Sequence, residues 1–269
     1  MNIKELKCKE FANVEKYASS IASRLREQDD SLGSKIIAAA YLAYLAKKEN
    51  ILTANELINF VDQKSPESQK YFLKDRTSDS YWGNVVEISK EFTSDALLAV
   101  VLWYSNNNTG RFSAECETPS SIIKLAYKIL NPKNDRVADL CSGVGNFLTF
   151  AALQNDECSL YGVDIQIQAK EISEIRLSIF NNEVEIELGS ALEISKDKKF
   201  NKIFCNYPWG IRPQYMLGVE RKLNTFDERM PELKKIAIAD WYFILNVVDH
   251  LSENGKAVVV TTNGITWNG

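Results

Sequence analysis

Three short segments hold residue types that can do chemistry, and their order along the chain says more than any one of them. In Asp139-Leu140-Cys141-Ser142-Gly143-Val144-Gly145-Asn146-Phe147-Leu148, an apolar run ends in an acid and passes through two glycines into a helical pattern. Glycine at 143 and 145 lets the backbone approach a ligand closely, and a carboxylate at Asp139 can meet a cationic group there. The segment Tyr161-Gly162-Val163-Asp164-Ile165 then places an acid about 20 positions after the glycine turn, where a nucleoside-binding Rossmann-like unit needs an acceptor for ribose hydroxyls. Taken alone, the first segment also reads as a tight strand-to-helix turn and the second as a strand-end turn. The third segment, Ile203-Phe204-Cys205-Asn206-Tyr207-Pro208-Trp209-Gly210, follows another apolar run; out of context it is an Asx-type loop around a tryptophan.

What the chain lacks narrows the chemistry further. Five cysteines (Cys8, Cys116, Cys141, Cys158, Cys205) are scattered without a C-x-x-C pair, so they indicate reduced core thiols rather than a disulfide framework or a zinc site. The one histidine, His250, lies in an amphipathic run and reads as a core or surface residue, which leaves no set of His ligands or His base. A net charge of -4 and a pI near 5.3 give little generic attraction for phosphate, so a nucleic-acid substrate would need help from elsewhere.

The elements that must position these segments follow from hydrophobic periodicity. Up to about Asn107 the pattern is helical throughout: Ile36, Ile37, Ala40, Tyr41, Tyr44 and Leu45 share one face, Thr53 to Glu56 fits a capping box, and Ser94 is the expected N-cap of a helix over 96–104. Asn106 to Gly110 is turn-rich punctuation, which puts the boundary between a helical domain (1–110) and a second domain (111–269) there. Beyond it, strands expected at 136–141, 159–165, 184–188, 201–205 and 256–261 alternate with helices at 145–153, 168–180 and 237–251, with a further helix at 120–130. That alternation predicts a parallel sheet covered on both faces. The longest mainly apolar stretch, Ile36 to Ala46, falls far short of the roughly 18 residues a membrane span needs, and the first ten residues lack a signal-peptide core, so a cytoplasmic location is expected.

With the strand order in place, Asn206-Tyr207-Pro208-Trp209 resembles the Asn-Pro-Pro-aromatic motif of N6-adenine DNA methyltransferases. Phe112 through Thr118-Pro119-Ser120-Ser121-Ile122, Ala239-Asp240-Trp241-Tyr242-Phe243 and Gly255 to Gly264 resemble further segments of the modification subunits of type I restriction-modification systems. The resemblance covers about 111–269 and implies a Rossmann-like methyltransferase sheet, preceded by a helical domain. It also implies S-adenosylmethionine as cofactor and N6 of adenine in DNA as the methyl acceptor. RNA, a protein glutamine, and a non-catalytic cofactor-binding module are the alternatives it leaves open.

Carried over residue by residue, the resemblance assigns the reacting amine to Asn206 and the Tyr207 carbonyl, with Pro208 and Trp209 completing the catalytic tetrapeptide and Trp209 stacking on an extruded base. It assigns the cofactor to Thr118, Pro119, Asp139, Cys141, Ser142, Gly143, Gly145, Asn146, Phe147, Asp164, Ile165, Ser190 and Ala191. Three departures stand out: Leu140 replaces a usual proline, Ser190 replaces a common aspartate, and Tyr207 replaces the first proline of the tetrapeptide, losing its rigidity. No metal is implied. The segment 211–235, with Arg212, Arg221, Lys222, Arg229, Lys234 and Lys235 among Glu220, Asp227, Glu228 and Glu232, is a candidate DNA-facing loop. No segment reads as a target-recognition domain, so a separate specificity subunit or domain is expected. The chain stops at Gly269, before the antiparallel strand pair the resemblance implies, so the sheet is expected to be incomplete and the chain to methylate DNA poorly alone.

Overall fold

The computed structural model describes residues 12–25, 32–65, 79–104, 118–155, 157–216, 219–235 and 238–266. The chain divides into two compact units, Met1–Glu117 with Glu174–Ile179 and Thr118–Ser173 with Phe180–Gly269.

The first unit is helical: α1 (Val14–Leu25), α2 (Leu32–Lys48), α3 (Ala54–Lys64), α4 (Asp79–Glu91) and α5 (Ser94–Trp103). Its centre is α2, which packs against α1, α4 and α5. The single apolar face read from the sequence is too narrow for it. Ala38, Ala39, Leu42, Ala43 and Ala46 are buried along with Ile36, Ile37, Ala40 and Tyr41, while Tyr44 and Leu45 are half-buried. A helix contacted from several sides must be apolar nearly all round, and its alanines permit close approach. The capping box forms: Thr53 Oγ1 accepts from the Glu56 N–H at 3.3 Å and Glu56 Oε2 accepts from the Thr53 N–H at 3.1 Å. The cap of α5 is Thr93, not Ser94; its Oγ1 accepts from the Ala96 N–H at 3.2 Å and the helix begins one residue later.

The second unit holds α6 (Ser120–Leu130), β1 (Arg136–Asp139), α7 (Asn146–Gln154), β2 (Ser159–Asp164), the greater part of α8 (Ile167–Leu177, whose residues from Glu174 on belong to the first unit), β3 (Val184–Leu188), β4 (Phe200–Cys205), α9 (Glu220–Arg229), α10 (Asp240–His250) and β5 (Leu251–Val259). The five strands pair in the order β3-β2-β1-β4-β5, all parallel. The expected strand at 256–261 is the regular part of β5: pairing with β4 shifts between Phe200 and Lys202, then runs evenly from Lys256 to Val259. From β1 the chain winds to β2 and β3 on one side and later to β4 and β5 on the other, so the strand order reverses beside β1. Open α/β sheets leave a crevice at such a reversal, outside the carboxyl ends of the strands.

Aromatic stacking ties the layers together. Phe147 of α7 stacks on Phe204 of β4 with ring centroids 4.4 Å apart, and Tyr161 of β2 stacks on Phe200 at 4.9 Å. His250 is a core histidine: it is fully buried, its Nδ1 bonds the Lys198 carbonyl at 2.8 Å, and burial lowers its pKa. Cys158 and Cys205 are buried free thiols and Cys141 is half-buried; Cys8 and Cys116 lie outside the described residues. The segment 211–235 is not a loop. It contains 3-10 turns at Pro213–Tyr215 and Pro231–Lys235 and the helix α9, because Leu223 and Phe226, three residues apart, supply an apolar face that joins the core. Among its basic residues, Arg229 is committed to Asp249 at 2.7 and 2.9 Å and Lys222 lies over the Phe226 ring. No helix among the described residues is long and apolar enough to cross a membrane.

The cap assignment is testable by urea or thermal melts. Thr93→Ala is expected to cost about 1 kcal/mol, since it leaves the Ala96 N–H of a buried helix without its acceptor, whereas Ser94→Ala is expected to change stability by only a few tenths of that.

Candidate active site at the carboxyl ends of the strands

The register sets the site out in a row. Asp139 at the end of β1 pairs with Gly162 of β2 on one side and Phe204 of β4 on the other. The turn that follows is held by neighbouring strand ends: the Ser142 N–H donates to the Val163 carbonyl at 3.0 Å and the Gly143 N–H to Asp164 Oδ2 at 2.9 Å. Both turn glycines have positive φ, +50° at Gly143 and +77° at Gly145, but for different ends. A Cβ on Gly145 would lie 2.4 Å from Ser173 Oγ, so that glycine admits the close packing of α8 against the start of α7. A Cβ on Gly143 would meet nothing within 4 Å, which leaves its outer side open to a ligand. Gly162, whose role only packing reveals, is constrained too: a Cβ there would stand 2.9 Å from Leu148 and Ile186 and 3.1 Å from Ser142 Oγ.

Two carboxylates border this turn in different environments. Asp139 is 2% exposed, and burial pushes its pKa up to about 8, against the pull of the Cys141 N–H at 3.3 Å and with a further push from the charge of Asp164. Asp164 is half-buried and accepts from the Gly143 and Gln166 N–H groups, each at 2.9 Å, which leaves lone pairs for further donors. Beside it the surface turns apolar. Ile165 is 72% exposed, and Leu188, which pairs with Asp164 in register, is 47% exposed. Ser190 caps the 3-10 turn Ala191–Glu193 by accepting the Leu192 N–H at 3.3 Å, and Ala191 is buried with its carbonyl bound to Asn246 Nδ2 at 2.8 Å. Phe147 is held in the core by its stack on Phe204, and Ser142 is buried; neither is at the surface, whereas Cys141 and Asn146 are half-exposed at the turn.

At the end of β4, Asn206 is brought to a residue 88 positions away: its Nδ2 donates to Thr118 Oγ1 at 2.8 Å. Asn206 Oδ1 is buried and, among the described residues, has no hydrogen-bond partner. Pro119, just beyond Thr118, is exposed and occupies the N-cap position of α6. Tyr207 is 1% exposed, Pro208 is exposed, and Trp209 is 49% exposed with its indole N–H donating to the Val260 carbonyl at 3.2 Å. Asp164 and Asn206 stand on β2 and β4, two strand spacings apart across β1, about 10 Å.

The profile of the family described as N-6 DNA Methylase matches residues 89–269, about two thirds of the chain. The chain belongs to the N-6 DNA methylase family. It is 26% identical over 173 residues to the type I restriction enzyme MjaIX methylase subunit of Methanocaldococcus jannaschii, a match that spans 58% of this chain and 30% of that protein's length. Its fold is that of a type I restriction-modification methyltransferase subunit from Streptococcus thermophilus (TM-score 0.64, 14% identity, 95% of this chain and 75% of that one). A Listeria monocytogenes protein assigned to the class I S-adenosylmethionine-dependent methyltransferases is also similar (TM-score 0.57, 13% identity, 89% and 76%). The fold is therefore the Rossmann-like sheet of these methyltransferases, as the resemblance implied, and its strands are parallel, as the strand and helix alternation predicted.

Within this N-6 DNA methylase sheet, Asp139 is the electrostatically loaded position, and the load has a sign that can be measured. Its pKa rises from about 3.9 in the unfolded chain to about 8, so between those values the folded state holds a proton the unfolded state has lost. The contribution of this group to stability is therefore full below about pH 4 and is lost as the pH rises through 8. Asp139→Asn removes the effect. Melts of the ligand-free protein are expected to show the variant gaining on the wild type by up to about 1 kcal/mol per pH unit from pH 5 to 8, and a pH-independent difference would contradict the assigned burial.

Proposed function

We propose that the chain is the methyl-transferring core of a modification subunit, acting on the exocyclic N6 of adenine in DNA with S-adenosylmethionine as cofactor. The observation that carries this reading is Asn206: its amide nitrogen is fixed by Thr118, and its oxygen is a buried acceptor without a partner among the described residues. What sets this acceptor apart from other unsatisfied buried atoms is its place, at the carboxyl end of β4 where an open α/β sheet takes its ligand, and a reacting N–H would satisfy it.

The chain's residues fit the cofactor. The open outer side of Gly143 would admit it, Asp164 has lone pairs for ribose hydroxyls, Ile165 and Leu188 offer an apolar surface to a planar base, and the Asp139 carboxyl beside the turn, protonated near neutral pH in the ligand-free protein, would ionise against its cationic part. When bound, S-adenosylmethionine would supply an electrophilic methyl group, its S–C bond breaking with the electron pair going to sulfur so that S-adenosylhomocysteine leaves. An adenine amino nitrogen is a poor nucleophile because its lone pair is delocalised into the ring. Asn206 Oδ1 and the Tyr207 carbonyl accept its two hydrogens, which localises the lone pair on nitrogen for attack on the methyl carbon. As the nitrogen becomes positively charged, the same two oxygens stabilise it, and its extra proton is lost to solvent once the new bond has formed. The half-exposed Trp209 ring, tethered through its N–H to Val260, stacks on a base taken out of the duplex.

The net charge of -4 supports a division of labour in which DNA is gripped by a separate specificity subunit or domain, in keeping with the relatives described as methylase subunits, and a cytoplasmic location accords with DNA as substrate. Incubation with methyl-labelled cofactor against DNA, RNA and protein, followed by mass analysis of nucleosides and amino acids, is expected to place the label on N6-methyldeoxyadenosine. Label on an RNA base or a glutamine side chain moves the substrate assignment, and no label on any acceptor contradicts it. Asn206→Ala is expected to abolish transfer while cofactor affinity stays within a few fold, since the contact is made to the reacting amine. Trp209→Ala is expected to weaken base binding by roughly 1–3 kcal/mol.

A further inference from the structure

The family motif locks the position after Asn206 with a proline ring, and this chain has Tyr207 there. Backbone rigidity has to come from somewhere else, and the side chain shows where. The Tyr207 ring lies parallel to Phe243, centroids 5.0 Å apart and planes 3° from coplanar, in the core cluster that α10 shares with β4. Its hydroxyl is hydrogen-bonded to Thr261 Oγ1, just past the end of β5. Asp240, three residues before Phe243 on α10, is 1% exposed, and its Oδ2 accepts from Thr262 Oγ1 at 3.4 Å, which ties the residue after Thr261 to the same helix. Burial pushes the Tyr207 phenol up to about 12, so it stays protonated and keeps a hydrogen to donate near neutral pH. The phenol and the Thr261 hydroxyl can each donate to the other, so the contact forms whichever supplies the hydrogen.

Two other links run between the same two segments. The Val260 N–H donates to the Cys205 carbonyl at 2.9 Å, and the Trp209 indole donates to the Val260 carbonyl at 3.2 Å. The segment 205–209 is thus laced to 260–261 at every second residue, and Tyr207 is the middle stitch.

Resting on the methyl-transfer reading above, we infer that Tyr207 is a positioning residue: its hydroxyl, held by Thr261 Oγ1, and its ring, stacked on Phe243, fix the backbone carbonyl that receives the reacting amine, replacing the constraint of the missing proline. Thr261 belongs to the same device and does not touch the substrate.

Tyr207→Phe keeps the ring and its stack on Phe243 and deletes only the hydroxyl. Two readouts separate this inference from the reading it rests on. Amide hydrogen exchange, read by mass spectrometry on the peptide spanning 205–212, needs no activity and is expected to quicken about tenfold in Tyr207→Phe and in Thr261→Val, but not in Thr261→Ser, with global melting nearly unchanged. Turnover is expected to fall on the order of tenfold in the first two variants and to be retained in Thr261→Ser, with cofactor affinity and DNA KM within about twofold. Wild-type exchange in Tyr207→Phe overturns the inference, as does quickened exchange with unaltered turnover. If the wild-type protein methylates nothing while exchange still quickens as described, the loop clamp stands and the methyl-transfer reading fails.

Discussion

The direction in which the Asn206 amide faces decides whether the end of β4 is a reactive site or an ordinary turn. An amide has one donor end and one acceptor end. The hydrogen bond from its Nδ2 to Thr118 Oγ1 uses the donor end, so the oxygen is turned the other way, buried and without a partner among the described residues. That bond joins residues at the start of α6 and the end of β4, so it exists only if the sheet has its observed order with β4 next to β1. The pairing of Asp139 with Phe204, the stack of Phe147 on Phe204 and the turn held by Asp164 all act to keep that neighbourhood in place. Much of the second unit can be understood as support for one amide orientation.

Polar groups that folding alone would not retain gather in the same region. Asp139 is buried at the cost of a carboxyl driven to about 8, and Asp240 is buried with one oxygen unsatisfied among the described residues. Asn206 is left with an orphaned acceptor. Sites that must receive a charged cofactor and a reacting amine are where local departures from good folding practice are expected. The apolar core beneath, with Tyr161 on Phe200 and Phe147 on Phe204, provides the stability that tolerates them.

The sequence announced the sheet because short apolar runs between amphipathic helices leave few alternatives, and the order of Asp139, Asp164 and Asn206 along it follows from strand order alone. Side-chain partnerships were not legible in the same way. Phe147 sits next to the glycine turn in sequence, yet its ring turns into the core because α7 packs over β1 and β2 and the ring reaches across to Phe204 of β4. Gly145 resembles Gly143 in every sequence respect, and only packing reveals that one makes room for Ser173 and the other for open space. Thr93 and Ser94 are both good caps, and the choice rests on which hydroxyl reaches the Ala96 N–H. The segment 211–235 looked like a charged loop because its polar residues outnumber Leu223 and Phe226, whose spacing was the overlooked signal for α9. Tyr207 was legible as a departure from the family motif, but its compensation comes from residues some 30 to 50 positions away, where no local pattern can show it.

The central claim is that Asn206 Oδ1 and the Tyr207 carbonyl receive the two hydrogens of an adenine amino group. A crystal structure of the protein with S-adenosylhomocysteine and an adenine-bearing oligonucleotide, or the free nucleoside, tests it most directly. The account predicts the base lying against Trp209 with its exocyclic nitrogen about 2.8–3.1 Å from both oxygens, while Asn206 keeps its bond to Thr118. A base bound elsewhere, or an Asn206 amide turned so that its oxygen faces Thr118 or another protein donor, would contradict it.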